Sequence, residues 1–135
     1  CMQSVLAAPP VALSAHSGYG EFTPMTDCVF CKIRDGEIPS TVVHRADGFF
    51  AIRDIAPKAD THVLVIPERH IEDFRGIGAL DPGESKRFLE FIAATARACG
   101  LEEYRLMNFC GAGAGQTVFH LHVHVLGGAM RGMPA

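Results

Sequence analysis

The order of hydrophobic patterns along the chain predicts an α+β protein: five strands in one sheet, with one long and one short helix. Three observations lead there. Apolar residues alternate with polar ones, or run unbroken, in five short stretches of strand length. Two other stretches repeat their apolar residues at every third or fourth place, the mark of a helix with one buried face. Turn-forming Gly, Pro and Asp fall between these stretches, and no internal repeat or second-domain boundary is visible, so one domain holds them all.

The elements follow in order. Asp27 is placed to cap a short helix over residues 29–35, with Val29, Phe30 and Ile33 on one stripe, Gly36 closing it and Pro39 barring its continuation. Strands are expected over residues 41–45 and 49–54, joined by a hairpin turn at Ala46-Asp47-Gly48. After a loop through Ala56-Pro57-Lys58-Ala59-Asp60, His62 to Pro67 is nearly all apolar and so reads as a central strand. Asp81 then Pro82 marks the start of the long helix, an N-cap followed by a residue whose missing N–H is no loss at the first helical position. Phe88, Leu89, Ile92, Ala96 and Cys99 recur at helical spacing until Gly100, and that face is expected to cover the sheet. Residues 104–109 form the next strand, and the stretch from Gln116 to Gly128 holds the last.

That last stretch carries the chemistry. His120, His122 and His124 alternate with Leu121, Val123 and Val125, and in an extended strand successive side chains leave opposite faces. The three imidazoles are therefore expected in a row on one face, with a dry face behind them. Just upstream, Gly111-Ala112-Gly113-Ala114-Gly115 has little side chain and many backbone N–H groups, enough to hold an anion, and Gly127-Gly128 are read as further anion donors. Imidazole is largely neutral and nucleophilic near pH 7, so the arrangement suits attack on phosphorus. Two other readings stand beside it: a catalytic metal cage built from all three histidines, and histidines with purely structural parts.

At 135 residues and 14.5 kDa the chain can bury one core. A net charge of −3, a pI near 6.1 and scattered Lys and Arg give no basic surface for nucleic acid. No apolar run approaches the ~20 residues that cross a bilayer, so a soluble protein without membrane or nucleic-acid partners is expected. Five cysteines, two of them in the Cys28-Val29-Phe30-Cys31 pair, suit a metal or free thiols in a reducing, cytoplasmic setting better than a disulfide framework. Residues 1–24 lack Lys and Arg and read as a flexible or expression-derived arm without assigned function, with Met25 a candidate native start and residues 25–135 the domain.

The row from His120 to Leu126, preceded by Gly115-Gln116-Thr117-Val118, resembles the histidine triad (HIT) superfamily. Two further stretches, Cys28 to Ser40 and Asp54 to His70, resemble its Hint branch, the histidine triad nucleotide-binding proteins, and the likeness runs colinearly from about Asp27 to Gly128. The resemblance implies a HIT-like fold with a five-stranded antiparallel sheet, and a two-fold dimer whose sheets join into one near residues 104–109. It implies a nucleoside 5′-phosphoramidate hydrolase that cleaves the P–N bond of purine nucleotidyl amines such as AMP-lysine. His122 would attack the α-phosphorus, expel the amine and leave a nucleotidyl-histidine that water hydrolyses. His124 would donate to a phosphoryl oxygen, His120 would complete the triad, and His62 would orient it or relay a proton.

By the same resemblance, Gly115, Gln116 and Thr117 would hold the remaining oxygens and Asn108 would touch phosphate or leaving group. Asp54 would grip the ribose hydroxyls, and Val29, Phe30, Ile33, Ile38, Ile52 and Ile55 would line the base pocket. Cys28, Cys31, His70 and His120 would hold a structural zinc, a closed set with no position left for a reacting water, and catalysis would need no metal. As bare residues these have plainer readings: His62 a polar strand end, Asp54 a turn cap, the six apolar residues core, and the cysteines two thiols at a helix start. The tail from Ala129 to Ala135 lacks the tryptophan of many Hint tails, which leaves the choice of leaving group open. Dinucleoside polyphosphate hydrolysis, as in the Fhit branch, and a nucleotide-binding regulatory role with incidental activity are the alternative functions.

Overall fold

A computed structural model describes residues 28–131. The expected Asp27 cap, the arm over residues 1–24 and the last four residues of the tail lie outside that range.

The elements are α1 (Val29–Arg34), β1 (Val42–Ala46), β2 (Phe49–Arg53), β3 (Ala59–Pro67), a 3-10 segment (Phe74–Ala79), α2 (Pro82–Ala98), β4 (Arg105–Met107), a 3-10 turn (Ala112–Ala114) and β5 (Val123–Met130). The five strands form one sheet in the order β1-β2-β3-β5-β4, every neighbouring pair antiparallel. This is the expected α+β arrangement. The β1–β2 hairpin turns on Asp47 and Gly48, with φ of 55° and 89°, the two-residue turn whose hand matches strand twist. Helix α2 starts as the pattern predicts, with Asp81 Oδ1 accepting the Glu84 N–H at 2.7 Å and Pro82 in the first position. Helix α1 is capped by Cys28, whose Sγ accepts the Cys31 N–H at 3.3 Å.

Strand alternation splits the interior into two layers. Phe49, Ala51, Val63, Val65, Val123 and Val125 point toward α2 and pack with its Phe88, Phe91, Ile92 and Ala96. Leu89, expected on that stripe, is 67% exposed, because at 100° per residue the stripe through Phe88 returns at Phe91 and Ile92 rather than one place on. On the other face Phe50, Ile52, Leu64 and Ile66 lie under α1, packed with Val29, Phe30, Ile33 and Val118. Side chains of this size contribute roughly 2 kcal/mol each when fully buried. The second layer shares its face with His62 and His124, since His124 pairs with Leu64 and His62 with Leu126 across β3 and β5.

Two expectations about the last strand change. β5 begins at Val123, so of the three alternating histidines only His124 sits in the ladder, while His120 and His122 lie on the irregular approach to it. The strand also runs through Gly127 and Gly128 to Met130, away from the histidines. Gly127 leaves space that the Leu101 side chain fills, and Gly128, at φ +83°, has Asp60 side-chain atoms 2.7 Å from where a Cβ would stand. Facing them, the β3 register shifts between Ala59 and Thr61. The two glycines therefore accommodate a bulge at the far end of the sheet and are not anion donors at the site. Among the described residues no helix is long and apolar enough to cross a membrane.

Candidate active site and metal centre

His122 is held by its own backbone. Leu121 N–H donates to the Ile71 carbonyl at 2.6 Å and the Asn108 side-chain amide donates to the His122 carbonyl at 2.9 Å, which pins the main chain on both sides of the ring. The ring's Nδ1 lies 2.7 Å from the His120 carbonyl oxygen. A carbonyl only accepts, so Nδ1 carries the hydrogen and Nε2 keeps a lone pair. Burial pushes the His122 imidazole down to about 4, only partly offset by that hydrogen bond, so the ring is neutral at pH 7.

The neighbouring rings are ordered by a single amide. Lys58 N–H donates to His62 Nδ1 at 2.9 Å, which puts the His62 hydrogen on Nε2. That Nε2 stands 2.9 Å from His124 Nδ1, so His124 accepts there and carries its own hydrogen on Nε2. Both rings are kept neutral: burial lowers His124 to about 2, with His122 and His62 adding to it, and burial lowers His62 despite the nearby Asp54 carboxylate. Asp54 Oδ1 accepts the Ala56 N–H at 2.8 Å, while the buried Oδ2, 3.4 Å from His62 Nε2, has no hydrogen-bond partner. Buried carboxylate oxygens rarely stay unpaired, so this atom is an acceptor suited to a ligand hydroxyl. Asp54, His62 and His124 also have the ligand types for a cation, but the two imidazoles already satisfy one another.

The glycine loop differs from its expected role. It closes on itself as a 3-10 turn: Ala114, Gly115 and Gln116 donate their amides to the carbonyls of Gly111, Ala112 and Gly111, at 3.0, 3.0 and 3.1 Å. The Gln116 side chain is only 4% exposed, its Oε1 accepting from the Gly111 amide at 2.7 Å and its Nε2 donating to the carbonyls of Glu72 and Val118 at 2.9 and 3.0 Å. Gly115 and Gln116 thus brace the loop instead of presenting donors, and Thr117, exposed, is the one of the three that takes no part in this network. Asn108, expected on phosphate or leaving group, has its side-chain amide on the His122 carbonyl.

Of the six expected base-pocket residues, Val29, Phe30, Ile33 and Ile52 form one buried cluster with Ile38 against it, while Ile55 is 64% exposed and apart from it. Phe109 was not anticipated, yet its ring lies 5.1 Å from that of His124. Its place beside Asn108 was the available signal. The Lys58 amide had none, because a backbone donor belongs to every residue but proline.

The first triad histidine faces a different cluster. His120 Nε2 donates to the Pro67 carbonyl at 2.8 Å, so its Nδ1 bears the lone pair, and this Nδ1 lies 3.2 Å from Cys28 Sγ, 3.6 Å from Cys31 Sγ and 3.2 Å from His70 Nδ1. Cys31 Sγ stands 3.4 Å from His70 Nδ1, and the four donor atoms all fall within 4.8 Å of one another. A tetrahedral zinc with ordinary bond lengths would set sulfur and nitrogen about 3.6 Å apart and two nitrogens about 3.3 Å apart. The donors fit that ion, and His120 would be one of its four ligands. The Cys28 thiol, hydrogen-bonded to Cys31, lowers the Cys31 thiol and is itself raised by the proton they share.

The class these features fit is that of the histidine-triad proteins, an antiparallel sheet of this order with His62 on β3, His124 on β5 and His120 and His122 on the approach to it. The chain belongs to the HIT domain family, whose model matches residues 35–130. It is 41% identical over 102 residues to an uncharacterized HIT-like protein of Helicobacter pylori, covering 74% of this chain and 95% of that one, and 37% identical over 103 residues to a HIT-like protein of Rickettsia prowazekii, covering 74% and 86%. Among solved structures it resembles a HIT family hydrolase from Legionella pneumophila, with TM-score 0.72, 42% identity and 79% and 97% of the two chains covered. A histidine triad nucleotide-binding protein from Candida albicans matches with TM-score 0.67 and 28% identity, over 80% and 83%.

Proposed function

We propose that this chain is a Hint-type nucleoside 5′-phosphoramidate hydrolase acting on purine nucleotidyl amines. The observation that carries the reading is the 2.7 Å bond from His122 Nδ1–H to the His120 carbonyl, which leaves Nε2 as an aimed, unprotonated nucleophile. As Nε2 bonds to the α-phosphorus, the P–N bond breaks and the amine leaves with a proton drawn from solvent, which the later hydrolysis returns. The histidine becomes cationic, and the His120 carbonyl, already accepting from Nδ1–H, stabilises that charge. Water then cleaves the phosphorus–Nε2 bond, releasing nucleoside monophosphate and restoring the imidazole.

His124 Nε2–H donates to a phosphoryl oxygen as negative charge grows there, with the Thr117 hydroxyl on another, and His62 keeps His124 in the donating tautomer. The unpaired Asp54 Oδ2 accepts from a ribose hydroxyl, and the Phe30–Ile33–Ile52 cluster with Ile38 receives the base. The printed names of the structural relatives, a HIT family hydrolase and a histidine triad nucleotide-binding protein, support a hydrolase of nucleotide substrates. Zinc on Cys28, Cys31, His70 and His120 has a structural part, tying α1 to the approach to β5. The unpaired edge of β4, with Leu106 exposed, is the surface for a two-fold dimer with a continuous sheet.

The test is AMP release from an adenosine 5′-phosphoramidate, with mass spectrometry of acid-quenched protein to find an AMP adduct on His122. Failure to release AMP by protein that still binds AMP would overturn the enzymatic reading. Faster turnover of diadenosine polyphosphates than of the phosphoramidate would replace the substrate.

A further inference from the structure

His120 belongs to both clusters at once. Its Nδ1 faces Cys28, Cys31 and His70, while its carbonyl oxygen takes the Nδ1 hydrogen of His122. A second link runs through α1: Phe30, between the two cysteines in sequence, meets the His120 ring edge-on at 5.9 Å and the His122 ring edge-on at 5.0 Å. Phe30 is fully buried, so it cannot shift without moving its neighbours. The next amide along, Leu121 N–H, is tied to Ile71, one residue past the cluster's His70. Every segment that presses on His122 from this side is thus anchored by a cluster ligand or its immediate neighbour.

We infer that the Cys28–Cys31–His70–His120 cluster is a positioning device for the nucleophile: a divalent ion held there locks the His120 carbonyl and the Phe30 ring, and through them the tautomer and direction of His122. The physical reason lies in hydrogen count. His120 and His70 turn Nδ1 atoms toward one another at 3.2 Å, and His120 Nε2 already donates to Pro67. With an ion between them both lone pairs have a partner. Without one, His120 Nδ1 is left to a hydrogen from His70 or a thiol, or the rings must part, and a single such bond replaces a four-donor centre at the residue whose carbonyl orders His122. Cys28, Cys31 and His70 then act on catalysis from outside the reacting atoms, as positioning residues. The catalytic half of this inference rests on the phosphoramidate reading; the tautomer half does not.

The experiment uses full-length protein with 15N-labelled histidine, loaded with one equivalent of zinc or stripped with a chelator, and reads the His122 tautomer from long-range 1H–15N correlations. In the loaded protein His122 should show Nδ1–H alone. In the stripped protein it should show both tautomers, with kcat on the phosphoramidate reduced about tenfold or more and KM within about twofold. An unchanged His122 tautomer in stripped, folded protein overturns the inference. Should stripping unfold the chain, Phe30→Leu decides: it should retain one equivalent of zinc yet show a mixed His122 tautomer, and a single tautomer there overturns the relay. Loaded protein with a pure Nδ1–H tautomer and no phosphoramidate hydrolysis would defeat the proposed function while leaving the coupling standing.

Discussion

His120 and His122 are two residues apart and end in clusters built on opposite rules. Around His120, two ring nitrogens and two sulfurs converge within 4.8 Å of one another, an arrangement that could hold a cation. Around His124, each bare nitrogen meets one that carries a hydrogen, an arrangement that is complete with protons alone. The difference comes from which main-chain group holds each ring's other nitrogen: the Pro67 carbonyl on His120 Nε2, the His120 carbonyl on His122 Nδ1, the Lys58 amide on His62 Nδ1. Identical side chains differ in which ring nitrogen keeps its lone pair according to the backbone they lean on.

The comparison breaks most visibly at the nucleophile. His122→Asn should retain the fold and nucleotide binding while lowering kcat by about 10³-fold or more, since no neighbouring group can form the covalent intermediate. Single-turnover AMP release and the absence of an adduct in the mass spectrum check this. On the other side, Cys31→Ser should bind less than one equivalent of zinc and melt roughly 10 °C lower, measured by metal analysis and calorimetry, because the ion links segments far apart in the chain. Nucleotide affinity should move little.

A milder probe is Asn108→Ala, which frees the His122 carbonyl without touching the ring. The loss of one such bond, about 1 kcal/mol, should lower kcat roughly fivefold with KM nearly constant. The smallest effect is in pH dependence of stability. His62 and His124 are depressed below the ordinary value near 6.5 by burial, so the unfolded chain binds more protons than the native one once the pH falls below that value. Their contribution to stability is therefore complete above about pH 6.5 and declines as the solution is acidified, with each group adding a slope of up to about 1.4 kcal/mol per pH unit. Urea melts at pH 7.5, 6.0 and 5.0 should show the decline, and His124→Asn should make it shallower.

Much of this was legible in the residues. The five strands, the Asp47-Gly48 turn and the Asp81-Pro82 helix start follow from period and turn chemistry, all local properties, while the Cys28–Cys31–His70–His120 group came only from the family resemblance. The parts that were not legible depend on the path of the backbone. Strict alternation suggested three histidines on one strand, but the ladder begins only at Val123, since the approach must rise over α1 to bring His120 to the cysteines. Gln116 and Asn108 are expected on phosphate or leaving group by family resemblance alone; their side-chain amides donate to the carbonyls of Glu72, Val118 and His122. Gly127 and Gly128 read as anion donors because glycine serves both an anion-binding turn and a bulge, and only the opposing strand tells which.

Cys28 and His120 touch although 92 residues separate them along the chain. Their pairing therefore closes one of the longest loops the molecule contains, and it must wait until the last strand has been made and laid down beside the third. A nascent chain that offers only the two early thiols has half of the four donors, so completion of the cluster marks that the last described strand has been made and laid down.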